Sequence, residues 1–391
     1  MMRVGLVMER VEAWRGGAET STAQFIDHLL ALGVQVHLIT RSPLPPRDGL
    51  AVYRLAPTHA FPRRAWMLLR FLREADRLAR SLDVDLVHAI TPCAAAHLYQ
   101  PRSGTVVETI RRNVAMRTTS MGRGLKRLAC HLNLRQRLML GQERRLFARA
   151  RPPHVAAVSE YVARQVREHY RLPGEHISVI PNGVDPIAMN GTVTQHAARL
   201  RRLYAVPDGD YVLLFVANNF KLKGLAAALE TLAALLRESD TAATLLVVGR
   251  DNPLPFKRLA GRLGVSDRVR FVGHTEHIAA FYALADALLH PTYYDPCSRV
   301  VLEALSLGLP CVTTRFDGAA EAVDSAERGR VVDSPEDIAA LADGLGQLLR
   351  SGLRDVTRTR EQPRPARWSM RRHAEQVVAL YERLIAGGVR R

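Results

Sequence analysis

Asp295 and Glu303 stand eight positions apart in the stretch YYDPCSRVVLEALSLGLPCVTT, residues 293–314. Asp295 precedes a proline and a turn, whereas Glu303 lies inside the apolar run Val300-Val301-Leu302-Glu303-Ala304-Leu305, which reads as a helix. A carboxylate there needs a partner, because burying it unpaired is costly. Cys297, Ser298, Arg299 and Val300 would supply the unpaired N–H groups of the helix's first turn, a nest for an anion. Glu303, one turn deeper, could accept hydrogen bonds from vicinal hydroxyls such as those of a ribose. Asp295 could reach the hydroxyls of a sugar. The plainer alternative makes Asp295 a helix cap and Glu303 a solvated helix residue.

Two further places carry charge-handling chemistry. In NNFKLKG, residues 218–224, Lys221 and Lys223 follow an apolar strand and precede a helix. Two cations beside the positive end of a helix dipole are unfavourable unless an anion joins them. Gly16 and Gly17 follow the first strand and open the first helix. They read equally as a structural turn or a phosphate loop, and the GxGxxG dinucleotide fingerprint is absent.

The elements that must position these residues alternate along the chain. MRVGLVM, VQVHLITR, VDLVHAI and HVAAVS are strand-like, and the rhythm restarts after Pro207 with YVLLFVA, ATLLVVG, RVRFVG and ALLHP, each run separated from the next by helical patterns. Continuous apolar strands alternating with helices predict parallel sheets covered on both faces, hence an α/β chain of two doubly wound, Rossmann-like domains. A chain of 391 residues is long enough for two cores. The join is expected near VIPNGVDP, residues 179–186, giving domains 1–182 and 183–368 and a closing helix at 369–391. Ligands of such sheets bind at the carboxyl ends of strands, so a cleft between the two domains is the expected site.

The formal net charge of +17 points to a polyanionic partner. Basic residues cluster in two blocks, 61–80 and 111–151, and Glu143 is the only acid in the second. Both read as helices with one apolar and one cationic face, suited to an anionic membrane surface. A solvated helix face is the alternative reading. Nucleic acid is not expected, since no nucleic-acid module accompanies the charge. The composition excludes disorder, no apolar run is long enough to span a bilayer, and the start does not read as a signal peptide. Cys93, Cys130, Cys297 and Cys311 form no CxxC and read as reduced thiols of a cytosolic protein.

The Asp295–Glu303 segment with ALSLGLPCVTT resembles the signature of retaining nucleotide-sugar glycosyltransferases of family 4, which have the two-Rossmann GT-B fold. PNGVD, VVGRDNP, RLGVSDRVRFVGHTE and YALADALLHPTYYDP are similar to the same family in order and spacing, as is the Gly16-Gly17-x-Glu19 turn. RWSMRRHAEQVVALYERLI resembles the family's closing helix, which crosses back to the N-terminal domain. Within the family the likeness is greatest to enzymes that add the first glucose to the heptose region of the lipopolysaccharide core.

The resemblance implies roles. Glu303 would hold the donor ribose and Asp295 the hydroxyls of the transferred sugar. The amides of Cys297, Ser298, Arg299 and Val300, with Gly17, would meet the diphosphate or sugar. Lys223 would neutralise the leaving diphosphate, and Gly273, His274 and Thr275 would meet the base through main-chain groups. The implied reaction is metal-independent transfer of a hexose, foremost glucose from UDP-glucose, to a glycan hydroxyl with retention of configuration. No cofactor beyond the nucleotide sugar is implied, and no metal ligand is assigned. The implied place is the cytoplasm, on the inner face of the membrane.

Three departures stand out. Asp295 replaces the more common Glu, and Asn218 stands where the family has an arginine, with Lys221 as a substitute lacking the bidentate fork. His88 matches a family histidine, but Ile90 stands at its second histidine position. His97 and Arg102, in HLYQPRSG, fall in an acceptor loop, although a satisfied loop histidine is the commoner explanation of His97. The rival readings are a catalytically silent GT-B protein serving as a membrane or assembly partner, and a basic nucleic-acid binder.

Overall fold

The computed structural model describes residues 1–12, 16–55, 64–117, 119–351 and 368–388. Arg15 and residues 61–63 of the first basic block lie outside the described residues. The chain divides into two compact units, Met1–Asp185 with Trp368–Arg391, and Pro186–Arg367.

The first unit is built on a seven-stranded sheet in the order β3-β2-β1-β4-β5-β6-β7, with every pairing parallel. Its strands are β1 (Arg3–Val7), β2 (Gln35–Thr40), β3 (Leu50–Arg54), β4 (Leu86–Ala89), β5 (Leu98–Tyr99), β6 (His154–Ala157) and β7 (Ile177–Val179). The intervening helices are α1 (Gly17–Ala31), α2 (Arg64–Ser81), α3 (Val106–Ala115), α4 (Ser120–Leu132), α5 (Leu134–Phe147) and α6 (Glu160–Tyr170). The closing helix, α13 (Met370–Ala386), also belongs here. Its Met370, Val377, Leu380 and Tyr381 are buried with Phe25 and Leu29 of α1 against one face of the sheet. The other face is covered by Leu68, Phe71 and Leu72 of α2 with Leu146 of α5.

The second unit repeats the plan with six parallel strands in the order β10-β9-β8-β11-β12-β13. They are β8 (Tyr211–Val216), β9 (Ala243–Val248), β10 (Val269–Gly273), β11 (Ala287–His290), β12 (Cys311–Thr314) and β13 (Gly329–Val332). Around them lie α7 (Gly191–Leu203), α8 (Leu225–Glu238), α9 (Leu254–Arg262), α10 (Ile278–Leu284), α11 (Arg299–Ser306) and α12 (Ile338–Arg350). All six β9 residues are buried, which is why the strand reads as a continuous apolar run rather than an alternating one.

In each sheet the chain leaves the first strand one way and returns on the other side, so the order reverses between β1 and β4 and between β8 and β11. Loops diverge at such a switch point and leave a crevice at the strands' carboxyl ends. Asp295, Lys221 and Lys223 sit on the two loops at the β8/β11 switch, and Glu303 sits on α11, the helix that follows the second loop.

The two basic blocks take different places. The apolar face of α2 is consumed by the core, and of its described residues only Trp66 among the large apolar side chains is exposed. Arg70 and Arg80 are paired to Glu74 and Asp76 one turn away. Within α2, then, the sheet takes the apolar face of the first basic block as its cover. On α4 the opposite holds. Met121, Leu125, Leu128 and Leu132 are all exposed, while Cys130 on the far side of the helix is buried.

Candidate functional site

The site in the second unit begins with a glycine. Gly224 caps α8 with φ +79°, and a Cβ there would lie 1.9 Å from Pro291 O. Only glycine lets the loop after β8 approach the loop after β11 this closely. The two loops are then joined by hydrogen bonds from Tyr293 N to Leu222 O (2.9 Å) and from Thr292 Oγ1 to Leu222 O (3.3 Å).

That approach brings Lys223 over Asp295. Lys223 Nζ donates to Asp295 Oδ2 at 2.5 Å and to Tyr294 O at 3.0 Å. The two side chains are only 19% and 15% exposed, so the pair is largely withdrawn from water. The lysine charge, with His290 nearby, overrides burial and holds the Asp295 carboxyl well below the usual carboxylate range. His290 is buried, its Nε2 3.9 Å from Asp295 Oδ2, and its Nδ1 has no hydrogen-bond partner among the described residues. Burial pushes its pKa down.

Glu303 faces the same crevice from the second turn of α11. It accepts from Tyr282 Oη at 2.9 Å and from Arg299 Nη2 at 3.0 Å. The apolar surroundings read from the sequence are real, and this pair of donors is what makes a carboxylate tolerable there.

The expected anion nest is narrower than its sequence suggests. Cys297 N donates to Asp295 Oδ1 at 3.2 Å and Ser298 N to Asp317 Oδ1 at 3.0 Å. Two of the four amides are thus engaged by the protein's own carboxylates. The helix itself begins at Arg299. Lys221 is exposed on the loop after β8, beside Asn218.

Gly273, His274 and Thr275 lie at the carboxyl end of β10, two strands along the sheet from β8. Gly273 adopts φ +80°, and its carbonyl accepts from Gly249 N at 2.8 Å. His274 Nε2 lies 2.6 Å from Arg250 Nη2, and Thr275 Oγ1 accepts from His277 N at 3.0 Å.

Gly16 and Gly17 belong to the first unit, at the N-terminus of α1. Gly16, the residue before the helix, is extended and has no side chain with which to cap it. Nearby, a cavity of about 380 Å³ opens at the β1/β4 switch point, lined among others by Glu9, Arg10, Glu19, Thr91, Asn133 and Arg135. Glu9 anchors it, paired to buried Arg41 at 3.1 Å and to Arg135 of α5 at 2.6 Å.

The three residues expected at an acceptor loop are not brought together there. Arg102 is 7% exposed and His88 fully buried, and both hold α13 in place. Arg102 donates to Gln100 Oε1 (2.9 Å), Ser21 Oγ (2.6 Å) and His373 Nε2 (2.9 Å). His373 donates from Nδ1 to Pro181 O at 2.7 Å, which leaves Nε2 as the acceptor. His88 Nδ1 meets Tyr381 Oη at 2.6 Å. His97 lies at the amino-terminal end of β5, accepting from Val87 N at 3.0 Å and lining a separate cavity with Asp83 and Asp85. β5 is two residues long, so residues 97 and 102 fall at its two ends.

Tyr282, His290, Arg250 and Asp317 were not singled out by sequence. Tyr282 and His290 lie within segments that resemble the family, but nothing in their spacing marks them. Asp317 follows a strand that the apolar pattern did not reveal. Among the described residues no group of three His, Cys, Asp or Glu side chains is arranged to hold a metal ion, and no helix is long and apolar enough to cross a membrane. All four cysteines are buried and unbridged.

Two Rossmann-like units with lysine and carboxylates at a switch point define a class, and the comparisons agree. Residues 15–187 match the family described as Glycosyltransferase Family 4, and residues 198–365 match Glycosyl transferases group 1. The chain therefore carries the two domains of a GT-B glycosyltransferase of group 1 and family 4. It is 29% identical over 226 residues to the lipopolysaccharide glucosyltransferase WaaG of Escherichia coli, an alignment covering 57% of this chain and 59% of WaaG. It is 31% identical to the D-inositol 3-phosphate glycosyltransferase of Corynebacterium urealyticum over 56% of this chain and 54% of that one. The match thus spans little more than half the length of these two relatives. The N-acetyl-alpha-D-glucosaminyl L-malate synthase of Bacillus anthracis is 26% identical over 94% of this chain and 93% of its own. In fold, the chain superposes on the crystal structure of WaaG with a TM-score of 0.73 at 21% identity, covering 98% of each chain. It superposes on Anabaena HepE in complex with UDP-glucose with a TM-score of 0.65 at 17% identity, covering 100% of this chain and 99% of HepE.

Proposed function

We propose that the protein transfers a hexose, glucose from UDP-glucose as first choice, to a hydroxyl of a membrane-associated glycan, with retention of configuration and without a metal ion. The observation that carries this reading is the Lys223–Asp295 pair at the β8/β11 switch point, with Glu303 on the adjoining helix. Lys223 offers the positive charge that a departing diphosphate needs, and Asp295 both pairs with that lysine and presents a carboxylate to the sugar hydroxyls. Glu303, held by Tyr282 and Arg299, offers oxygens to the ribose. No separate carboxylate nucleophile is assigned, and in this scheme the diphosphate takes the acceptor's proton. The likeness to WaaG and to the UDP-glucose complex of HepE favours glucose and uridine. The cavity at the β1/β4 switch is the acceptor's place, with Arg135 and Arg10 suited to an anionic substituent on the glycan.

The same reading has the enzyme lying on the cytoplasmic face of an anionic membrane. The exposed stripe Met121, Leu125, Leu128 and Leu132 points away from the body of the unit, and Arg123, Lys126 and Arg127 flank it on the same helix. Apolar side chains entering the headgroup region with cations beside them is how an interfacial helix binds.

The test is a panel of UDP-glucose, UDP-galactose, UDP-N-acetylglucosamine, GDP-mannose and ADP-glucose in chelator, followed by thermal shift and slow hydrolysis. Stabilisation and turnover with one of them supports the reading. No shift with any would favour a silent scaffold.

A further inference from the structure

Glu143, the only acid of the second basic block, is fully buried on α5. Three donors meet its carboxylate. Tyr99 Oη donates to Oε1 at 2.8 Å, Val106 N to Oε2 at 2.9 Å, and Tyr170 Oη to Oε2 as well. Each comes from a different element: Tyr99 from β5, Val106 from the start of α3, Tyr170 from the end of α6. The Val106 amide is a first-turn N–H that its own helix cannot satisfy, so Glu143 fills that need from outside. A carboxylate buried this way stays in place only while its donors do.

Glu143 stands behind the lining of the cavity at the β1/β4 switch. Two of its three partners, Tyr99 and Val106, belong to that lining, with Thr109 of α3 and Arg135, Gln136 and Met139 of α5. Met139 lies one turn before Glu143 on α5. Arg135, about two turns before it, pins the other end of the same helix face through its 2.6 Å pair with Glu9. The end of α6 adds to the clasp: His169 meets Glu108 Oε2 of α3 at 2.9 Å, and the Tyr170 ring stacks on Phe147 of α5, centroids 4.3 Å apart. The helix between α3 and α5 in the chain offers little support, since of α4 only Cys130 is buried. The spacing of α3 and α5 therefore rests on the Glu143 clasp.

Resting on the reading of this cavity as the acceptor's place, we propose that Glu143 is a positioning residue for the acceptor. It touches no substrate. It sets the separation of α3 and α5 and the seat of the Tyr99 ring, and with them the width of the cavity in which the accepting hydroxyl is aligned. The sugar-nucleotide crevice of the second unit shares none of these residues.

The experiment compares Glu143→Ala, which deserts all three donors, with Glu143→Gln. The glutamine oxygen can take Val106 N and Tyr170 Oη while its amide donates to Tyr99 Oη, a hydroxyl able to accept. Transfer from UDP-glucose to heptose-terminated lipopolysaccharide in phosphatidylglycerol vesicles gives the acceptor KM and kcat, and calorimetry gives the Kd of UDP-glucose. Spin labels at Ala115→Cys and Arg137→Cys, on exposed positions of α3 and α5, read the helix spacing directly, the native cysteines being buried. In Glu143→Ala the acceptor KM should rise about tenfold, the scale of one buried hydrogen bond, with a broadened label separation and an unchanged Kd for UDP-glucose. Glu143→Gln should stay close to the wild type in all three. A merely structural residue would lower the unfolding midpoint and leave KM and label separation unmoved, and that result overturns the proposal. So does an equal rise of KM in Glu143→Gln. Should Glu143→Ala fail to fold, Tyr170→Phe removes one donor and keeps the ring on Phe147; a several-fold rise in KM supports the proposal and an unchanged KM overturns it. If the wild type binds UDP-glucose but glucosylates no lipopolysaccharide, the labels decide. Broadening in Glu143→Ala then supports the clasp and removes the acceptor reading of the cavity, whereas an unchanged separation overturns the clasp itself.

Discussion

Lys223 Nζ lies 2.5 Å from Asp295 Oδ2 across two loops that leave neighbouring strands of one sheet, so each residue supplies the charge that makes the other tolerable in a buried place. Removing either is not symmetrical. Asp295→Ala leaves a lysine long enough to reach water or a bound diphosphate, and transfer should fall by about 10³-fold or more while UDP affinity changes little. Steady-state rates with UDP titration check this, and unchanged turnover would remove Asp295 from the site. Lys223→Ala leaves a buried carboxylate without its cation and should destabilise the second unit by about 3 kcal/mol, measured by urea unfolding followed by circular dichroism.

Glu303 has two donors, and each should matter to nucleotide affinity by its own amount. Glu303→Ala removes the acceptor and should weaken UDP binding by about 1–3 kcal/mol. Tyr282→Phe leaves the carboxylate in place with Arg299 alone, and should cost about 1 kcal/mol in UDP binding. Calorimetric titration of both variants decides it: equal effects, or a larger one for Tyr282→Phe, contradict the assignment of Glu303 to the ribose.

The clasp between Arg102 and α13 predicts both a mutational and a pH effect on the first unit. Arg102→Ala strips a donor from His373, Ser21 and Gln100 at once and should destabilise that unit by about 3 kcal/mol. Burial lowers the His373 pKa to about 3, and that of His88 lies well below 6.5. Between pH 6.5 and 3 the unfolded chain takes up protons on these histidines that the folded chain refuses. Stability is therefore full above pH 6.5 and is lost as pH falls toward 3. All three tryptophans, at 14, 66 and 368, fall within the residue bounds of this unit, so fluorescence-detected unfolding from pH 7 to 4 reports on it. A flat profile would exclude neutral, buried histidines at the clasp.

The outward face of α4 predicts lipid binding that depends on apolar contact as well as charge. Leu125→Glu with Leu128→Glu should weaken attachment to anionic vesicles by more than about 3 kcal/mol, since each buried leucine contributes about 1.5–3 kcal/mol. Neutralising Arg123, Lys126 and Arg127 should cost about 1 kcal/mol per charge and act less at high salt. Flotation with phosphatidylglycerol vesicles separates the two. Attachment unaffected by either set would give this helix another partner.

What the sequence determined by itself is what nearest neighbours decide. Continuous apolar runs announced β1, β2, β4, β6 and β8 through β11, because a strand buried on both faces has no polar side to show. The spacing of Asp295 and Glu303 around a helix start, and Lys223 at a strand's carboxyl end, were legible for the same local reason. The short strands β5, β7, β12 and β13 carry too few residues for a pattern, and β3 at the edge of its sheet offered none that stood out. The tertiary structure alone decided the rest. Asp317, His290 and Tyr282 reach the Asp295–Glu303 pair from separate elements. Arg102 meets His373 across 271 positions, turning residues of suitable type for an acceptor into a buried clasp. α2 and α4 share a basic, amphipathic composition, yet one spends its apolar face on the sheet and the other turns it outward. Periodicity defines a face, but what that face meets depends on which other surfaces the fold brings against it.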